Sequence, residues 1–421
     1  MASVTVRLPC ATSAPAASAS EPNGAISRLR ALTSSAPSAL LPRPPLTLRA
    51  KPAQQKTKSR VCAARPVITA SAASAPEYLE ALLDAPPAVA RQEVTAFAPA
   101  TVANLGPGFD FLGCAVEGLG DHVTARILDV PAPPSGNIII ESIEGDNGRL
   151  GFDPTTNCIG IAARATMELL GLYGLDGKGG SSGSGSNLPV IGLTLNKGLP
   201  LGSGLGSSAA SAAAAAVAVN ALFGSPLSKA QLVLAGLQSE AAVSGYHADN
   251  VAPALMGGFV LVRSYRPLHL IPLAFGEGKK LFFVVVTPAF EAPTKEMRAA
   301  LPKEITMASH VANSSQAAAL IHAIHTGDAR LLGAALASDT IVEPRRSPLI
   351  PGMSAVKVAA KAAGAHGCTI SGAGPTAVAV VDSEEVGRAV GAAMVEAFQE
   401  QGKLHAKATV AALDSVGGRV V

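Results

Sequence analysis

The stretch Leu199–Ser208 has the sequence LPLGSGLGSS and lies between an apolar run, Val190–Leu195, and an alanine-rich run that extends to Phe223. This order predicts a strand, a glycine loop and a helix in succession. The start of a helix offers unpaired backbone N–H groups and the positive end of a dipole, and glycines let an anion approach the backbone closely. The stretch therefore predicts a loop that binds phosphate groups.

Two well-known phosphate motifs do not fit the spacing of this glycine loop. A Walker loop requires Lys after its last glycine, and Gly206 is followed by Ser207. A dinucleotide fingerprint requires G-x-G-x-x-G, and neither Gly202 nor Gly204 begins one. A simple glycine-rich connector is the alternative, but the long helical run that follows favours phosphate binding. The residues predicted to bind phosphates are Pro200, Leu201, Gly202, Ser203, Gly204, Leu205, Gly206, Ser207 and Ser208.

The positive charge of the chain is concentrated near its start. Residues 1–70 hold ten of the 33 Lys and Arg residues and one of the 30 Asp and Glu residues. This segment is also rich in Ser, Ala and Pro, a composition typical of organelle transit peptides, and its Ser and Pro content favours the chloroplast over the mitochondrion. A disordered basic tail without a targeting role is the alternative. We expect residues 1–75 to be a disordered transit peptide, cleaved between Val61 and Ser74, and the mature protein to lie in the chloroplast stroma.

The remaining chain has the composition of a globular protein. It holds 23 basic and 29 acidic residues, a net charge of −6, which gives no reason to expect a nucleic-acid partner. Beyond residue 75 the cysteines are Cys114, Cys158 and Cys368, without a C-x-x-C pair or a His cluster, so we expect neither a zinc site nor a disulfide framework. No apolar run of about 18 residues occurs outside the alanine-rich helix, so we expect no membrane span.

The order of predicted elements indicates an α+β fold. We expect strands at Glu93–Ala98, Asp121–Leu128, Asn137–Ile143, Val190–Leu195, Phe259–Val262, Leu281–Thr287, Cys368–Ile370, Ala377–Val381 and Lys407–Leu413. We expect helices at Cys158–Leu170, Ser207–Phe223, Lys229–Val243, Met353–Gly364 and Glu384–Glu400, with two or three more between Lys295 and Ser338. Gly177–Asn187 is expected to be a flexible insertion. Because strands and helices mix without a strict βαβ repeat, we expect two lobes, at residues 93–262 and 263–421.

Three glycine-containing segments resemble the signatures of one family. The sequence PLGSGLGSSAA is similar to the second signature of the GHMP kinases, which include galactokinase, homoserine kinase and mevalonate kinase. Ala98–Leu112 (APATVANLGPGFDFL) resembles the first signature, which lines the substrate pocket, and Ile370–Val378 (ISGAGPTAV) resembles the third. The resemblance implies a lobe like ribosomal protein S5 domain 2, followed by a ferredoxin-like lobe.

Further segments resemble the homoserine kinase group within that family. The stretch HADNVAP, which begins at His247, is similar to the HxDNVAP sequence of these enzymes. The resemblance implies that Glu240, with Ser208, binds Mg²⁺ and that Arg298 and Arg346 bind the α-carboxylate of the substrate; Arg345 is the adjacent alternative to Arg346. The residues implied to bind substrate are Asn104, Asp110, His247, Asn250, Arg298 and Arg346, and those implied to take part in catalysis are Ser208, Glu240 and His247.

The resemblance implies a function that can be stated in full. The chain is expected to transfer a phosphoryl group from ATP, with Mg²⁺, to the side-chain hydroxyl of L-homoserine, in threonine and methionine biosynthesis. A homodimer is expected by analogy with the family. Another small-molecule kinase of the same family remains an alternative, as does a catalytically inactive sensor on the same fold. A structural protein with an alanine-rich packing helix would leave three glycine motifs unexplained.

Overall fold

The computed structural model describes residues 86–134, 136–172, 188–243 and 245–421. The expected transit segment and the expected insertion Gly177–Asn187 lie outside these described residues. None of the helices in the described part of the chain is both long and apolar enough to cross a membrane.

A mixed sheet of seven strands supports the glycine loop. Its main path follows the order β11, β1, β2, β4, β3, and β5 and β6 extend it from β2. All pairings are antiparallel except that of β3 with β4. The strands are β1 (Glu93–Ala103), β2 (Leu112–Leu128), β3 (Ile138–Glu144), β4 (Val190–Asn196), β5 (Phe259–Tyr265), β6 (Leu268–Leu273) and β11 (Arg419–Val420).

A second sheet has four antiparallel strands in the order β10, β7, β9, β8. They are β7 (Phe282–Pro288), β8 (Gly367–Ile370), β9 (Ala377–Val381) and β10 (Ala406–Ala412). The expected hairpin Cys368–Ile370 with Ala377–Val381 is confirmed. The expected lobe boundary after residue 262 stays a prediction, and the first sheet extends past it through β6 and β11.

The described residues form ten α-helices, most of which match the expected positions. They are α1 (Cys158–Leu169), α2 (Ser207–Leu222), α3 (Lys229–Val243), α4 (Ala248–Met256), α5 (Thr294–Ala299), α6 (Met307–Thr326), α7 (Ala329–Leu336), α8 (Glu343–Arg346), α9 (Met353–Ala362) and α10 (Glu384–Ala397). Strand β11 and helix α8, which have two and four residues, were not predicted. Strand β6 and helix α4 were not predicted either. Each contains a proline, Pro272 in the strand and Pro253 inside the helix, and proline in a sequence argues against a regular element. The α+β class is confirmed.

The alanine-rich helix α2 lies in the centre of the first core. All but one of its sixteen residues are buried, and the alanines from Ala209 to Ala216 have almost no exposed surface. Small side chains let the helix backbone approach β1, β2 and helices α1 and α3 closely. The glycine loop therefore leads into a helix that packs against strands and helices along its whole length.

A buried ion pair lies where strand β4 and helix α2 join the glycine loop. Lys197 Nζ, at the end of β4, lies 2.6 Å from Asp121 Oδ2 on β2 and donates to the carbonyl of Ser207 at 2.9 Å. Ser211 Oγ donates to the same carboxylate oxygen at 2.6 Å. The other oxygen, Oδ1, accepts the backbone N–H groups of Gly198 and Leu199 at 2.9 and 3.0 Å. One carboxylate thus joins the strand before the loop to the helix after it.

We expect Asp121→Asn to lower the free energy of unfolding by about 3–5 kcal/mol, because it leaves the ammonium group of Lys197 buried without its counter-charge. Urea unfolding of the wild type and the variant measures the loss. Glu384→Gln removes a carboxylate from the exposed ion pair with Arg388 and serves as the control, with little change expected. A loss below about 1 kcal/mol in Asp121→Asn would contradict the role given to the buried pair.

Candidate functional site

A single cavity collects nearly all the predicted site residues. Its volume is about 560 Å³. The predicted residues that line it are Asn104, Asp110, Leu201, Gly202, Ser203, Gly204, Gly206, Ser207, Ser208, Glu240, His247, Asn250, Arg298 and Arg346. Pro200 and Leu205 do not line it: Pro200 is exposed, and the side chain of Leu205 is buried in the apolar core. Predicted residues that are up to 242 positions apart in the sequence thus meet around one cavity.

The glycine loop has a backbone that only glycine adopts readily. Gly202, Gly204 and Gly206 have φ values of 64°, 80° and 65°, in the left-handed region. A Cβ at Gly204 would lie 2.5 Å from the carbonyl oxygen of Ser371, so that position also has no room for a side chain. The hydroxyl of Ser203 is buried and finds no hydrogen-bond partner among the described residues. An unpaired buried hydroxyl beside an open loop suits an anionic ligand with several oxygen atoms.

The turn that resembles the third family signature packs directly against the glycine loop. Ser371 Oγ donates to the carbonyl of Gly204 at 2.7 Å, and the N–H of Thr376 donates to the carbonyl of Ser203 at 3.2 Å. Asn104 Nδ2 donates to the carbonyl of Gly372 at 2.8 Å. The three glycine segments therefore form one hydrogen-bonded unit, in which Asn104 is a link between turns.

The end of the cavity near β1 holds a pair of opposite charges. Arg298 makes two parallel hydrogen bonds to the carboxylate of Asp110, each 2.9 Å long. The backbone of Asp110 has φ of 64°, and its N–H donates to Asn104 Oδ1 at 3.0 Å, which holds this residue in an unfavourable conformation. His247 Nδ1 lies 3.7 Å from the same carboxylate. Burial lowers the pKa of His247, so this imidazole is neutral at pH 7.

Arg346 is held more tightly than a surface arginine. It is 2% exposed, its Nε donates to the carbonyl of Met297 at 3.2 Å, and another guanidinium nitrogen donates to the carbonyl of Gly372 at 2.9 Å. Both Arg346 and Arg298 contact the ring of Phe109, with each guanidinium about 5 Å from the ring centre. Burial lowers the pKa of Arg346 to about 10, which leaves it charged at pH 7. Arg345 is exposed and does not line the cavity.

Glu240 and Ser208 face the cavity from two different helices. Glu240 belongs to α3 and is 4% exposed, and Ser208 is the second residue of α2. In the described part of the chain no group of three or more His, Cys, Asp or Glu side chains is arranged to hold a metal ion. A cation bound between Glu240 and Ser208 would therefore need further oxygen ligands from a bound molecule.

Sequence reasoning did not select several residues that line the cavity. Lys197 precedes the glycine loop, and its position was a signal that could have been used. Asp249 lies inside the HADN stretch, whose three polar residues indicate a lined pocket, but it was not chosen as a site residue. Arg149, Thr156 and Asn157 come from the segment between β3 and α1, which shows no motif. Their approach to the loop is a result of tertiary packing.

Asp249 is the most unusual carboxyl group of the site. It is 3% exposed, and its Oδ1 atom has no hydrogen-bond partner among the described residues. Burial, together with the nearby carboxylates of Asp110 and Glu240, raises the pKa of Asp249 to about 7. The folded protein therefore keeps a proton on this group at pH values where the unfolded chain has lost it.

We expect Asp249 to make the folded state less stable as the pH rises from about 4 to about 7, because only the unfolded chain gains the favourable charged form in that range. Urea unfolding at pH 5 and pH 7 measures the effect, and Asp249→Asn should show a smaller loss between these values than the wild type. Asp129→Asn, at an exposed position, is the control. Equal pH dependence in the wild type and Asp249→Asn would contradict the prediction.

Comparison with known proteins identifies one family. The GHMP kinases N terminal domain matches residues 162–258, and the GHMP kinases C terminal domain matches residues 320–411. A homoserine kinase from Arabidopsis thaliana is 62% identical over 328 residues, which cover 78% of this chain and 84% of that relative.

Solved structures agree with this result. The crystal structure of homoserine kinase from Cytophaga hutchinsonii is 38% identical, with a TM-score of 0.71 over 79% of this chain and 99% of that one. The crystal structure of L. major mevalonate kinase, at 16% identity and a TM-score of 0.56 over 78% of this chain and 98% of that one, shares the fold. The chain belongs to the GHMP kinase family and, within it, to the homoserine kinases.

Proposed function

We propose that this chain transfers the γ-phosphoryl group of ATP to the side-chain hydroxyl of L-homoserine, giving O-phospho-L-homoserine and ADP in threonine and methionine biosynthesis. The observation that carries the proposal is a cavity that joins the glycine loop to the paired charges of Asp110 and Arg298. The names of the relatives at 62% and 38% identity support the same substrate.

The paired charges suit an amino acid better than a neutral sugar or a mevalonate. A free amino acid carries an ammonium and a carboxylate on the same carbon atom, and planar guanidinium groups bind a carboxylate through two parallel hydrogen bonds. Asp110 can bind the ammonium while Arg298 turns to the carboxylate, so that the substrate replaces an ion pair with two new ones. Arg346, which also contacts the ring of Phe109, adds positive charge to the same cavity.

ATP suits the other end of the cavity. The glycine loop, the start of helix α2 and the unpaired hydroxyl of Ser203 provide hydrogen-bond donors for phosphate oxygens. Mg²⁺, bound by Glu240, Ser208 and the phosphates, would neutralise charge on the phosphate chain. The residues present fit this role, because both oxygen-bearing side chains line the cavity.

The chemistry proposed for this chain is positioning and charge stabilisation. The substrate hydroxyl oxygen forms a bond to the γ-phosphorus, the bond from that phosphorus to the β–γ bridging oxygen breaks, and the hydroxyl proton leaves to solvent. Such transfers pass through a loose, strongly anionic transition state, which backbone N–H groups and fixed hydroxyls stabilise. His247 and Asn250 would orient the acceptor and the phosphate chain. No side chain is assigned as a general base.

An assay of ADP release tests the proposal. The full chain is supplied with MgATP and with homoserine, mevalonate or galactose at equal concentrations. We expect homoserine to accelerate ADP release far above the background and the other two acceptors to leave it unchanged, and chelation of Mg²⁺ to abolish the acceleration. ADP release that homoserine does not accelerate would contradict the proposal, and a ligand-dependent rise in Tm without turnover would indicate a sensor.

We expect Asp110→Asn mainly to raise the KM for homoserine, by roughly tenfold or more, because the carboxylate that binds the substrate ammonium is lost. Steady-state kinetics with saturating MgATP separate KM from kcat. A collapse of kcat with an unchanged KM would contradict this role and would favour Asp110 as a general base. Asp328→Asn, at a helix N-cap that does not line the cavity, is the matched control.

We propose that the protein acts in the chloroplast stroma as a homodimer. The basic, serine-rich composition of residues 1–70 supports import, and the family analogy supports the dimer. Uptake and shortening of the labelled chain by isolated chloroplasts checks the first statement, and light scattering on the mature protein checks the second.

A further inference from the structure

Thr101 lies at the meeting point of the glycine loop and helix α4, although it is not among the residues that line the cavity. It belongs to β1 and is fully buried. Its N–H donates to the carbonyl of Leu205 in the loop at 3.1 Å, and its hydroxyl donates to Asn250 Oδ1 on α4 at 2.8 Å. One residue thus connects two parts of the site, one by its main chain and one by its side chain.

The hydroxyl of Thr101 determines which end of the Asn250 amide faces the cavity. An amide side chain has an acceptor oxygen and a donor nitrogen, and the hydroxyl engages the oxygen. Asn250 lines the cavity, and its Nδ2 group donates to no protein atom in the described residues. That nitrogen is therefore left as a donor for a bound molecule.

The position of Asn250 shows which part of a bound molecule it can reach. A Cβ at Gly206, the residue directly before helix α2, would lie 2.8 Å from Asn250 Oδ1 and 2.1 Å from Thr101 Oγ1. The amide thus lies against the end of the glycine loop, where phosphate oxygens meet the start of the helix. The positive φ of Gly206 and this lack of space give two separate reasons for glycine there.

We propose that Thr101 is a positioning residue, which holds Asn250 so that its Nδ2 group donates to an oxygen of the phosphoryl group in transfer. The inference rests on the proposed function and extends it to a residue outside the cavity. It assigns Asn250 to the phosphoryl group, whereas the resemblance implied that Asn250 binds the substrate. It requires that the effect of Thr101 pass through Asn250 and that it concern the phosphoryl group more than homoserine binding.

Thr101→Val and Thr101→Ser form the central comparison. Val keeps the shape of the side chain and removes the donor, whereas Ser keeps the donor. We expect Thr101→Val to lower kcat about tenfold with the KM for homoserine changed less than about threefold, and Thr101→Ser to stay within about twofold of the wild type. Thr101→Ala, which also lacks the hydroxyl, should match Thr101→Val. Equal kcat in Thr101→Val and the wild type, or an equal loss in Thr101→Ser, would overturn the proposal.

A double-variant cycle distinguishes positioning from a general loss of structure. In an Asn250→Ala background, Thr101→Val should lower kcat no further, because the group that it positions is already absent. A further loss of similar size would show that Thr101 does not act through Asn250. Thr95→Val removes another hydroxyl from the same strand, one hydrogen-bonded to Thr124 at 2.8 Å, and should leave kcat unchanged.

The side-chain amide resonances of Asn250 provide a readout without turnover. Assigned by their loss in Asn250→Ala, they should shift in Thr101→Val and remain near their wild-type positions in Thr101→Ser. Unchanged resonances in Thr101→Val would contradict the inference. If the wild type shows no homoserine-dependent ADP release, the proposed function fails, and the amide resonances still decide whether Thr101 holds Asn250.

Discussion

The carboxylate of Asp121 is the point on which the geometry of the glycine loop depends. With its four hydrogen-bonding contacts it joins the end of β4, the first residues of the loop and the first turn of helix α2. Lys197, which compensates its charge, also binds the carbonyl of Ser207. Both charges are almost completely buried, so neither can be removed without leaving the other unpaired in a low-dielectric interior. Both ends of the loop are therefore fixed. Its glycines adopt the backbone conformations that connect the two ends.

The small residues of helix α2 explain why the ion pair of Asp121 and Lys197, at the start of that helix, lies so deep in the protein. Alanine adds little side-chain volume, so the helix approaches β1 and β2 closely and brings the start of the helix to the edge of the sheet. The turn containing Ser371 then packs on the outer side of the loop, where Gly204 leaves space for a carbonyl. Close packing of backbones, more than side-chain bulk, brings the segments of the cavity together.

Several polar atoms around the cavity lie in positions that lower the stability of the folded protein. Ser203 Oγ, Asp249 Oδ1 and Arg298 Nε are buried without hydrogen-bond partners among the described residues, and Asn104 and Asp110 have positive φ. Such groups destabilise an empty protein and are expected where a ligand supplies the missing partners. Their distribution over both ends of the cavity agrees with a ligand pair that has phosphates at one end and a charged amino acid at the other.

The sequence alone determined the features that depend on local chemistry: the strand, glycine loop and helix around Gly204, the alanine-rich core and the α+β class. It also led to the residues of the cavity, because their motifs are short and contiguous, and it missed β6 and α4, where Pro272 and Pro253 obscured the pattern. Only the tertiary structure decided that Lys197 neutralises Asp121, that Asp249 is buried without a full set of partners and that Thr101 holds Asn250. The two contacts join residues 76 and 149 positions apart, and the state of Asp249 depends on how completely its surroundings exclude water. The spacing of residues along the sequence predicts neither the long-range contacts nor the exclusion of water, since both follow from the way the folded sheets and helices pack.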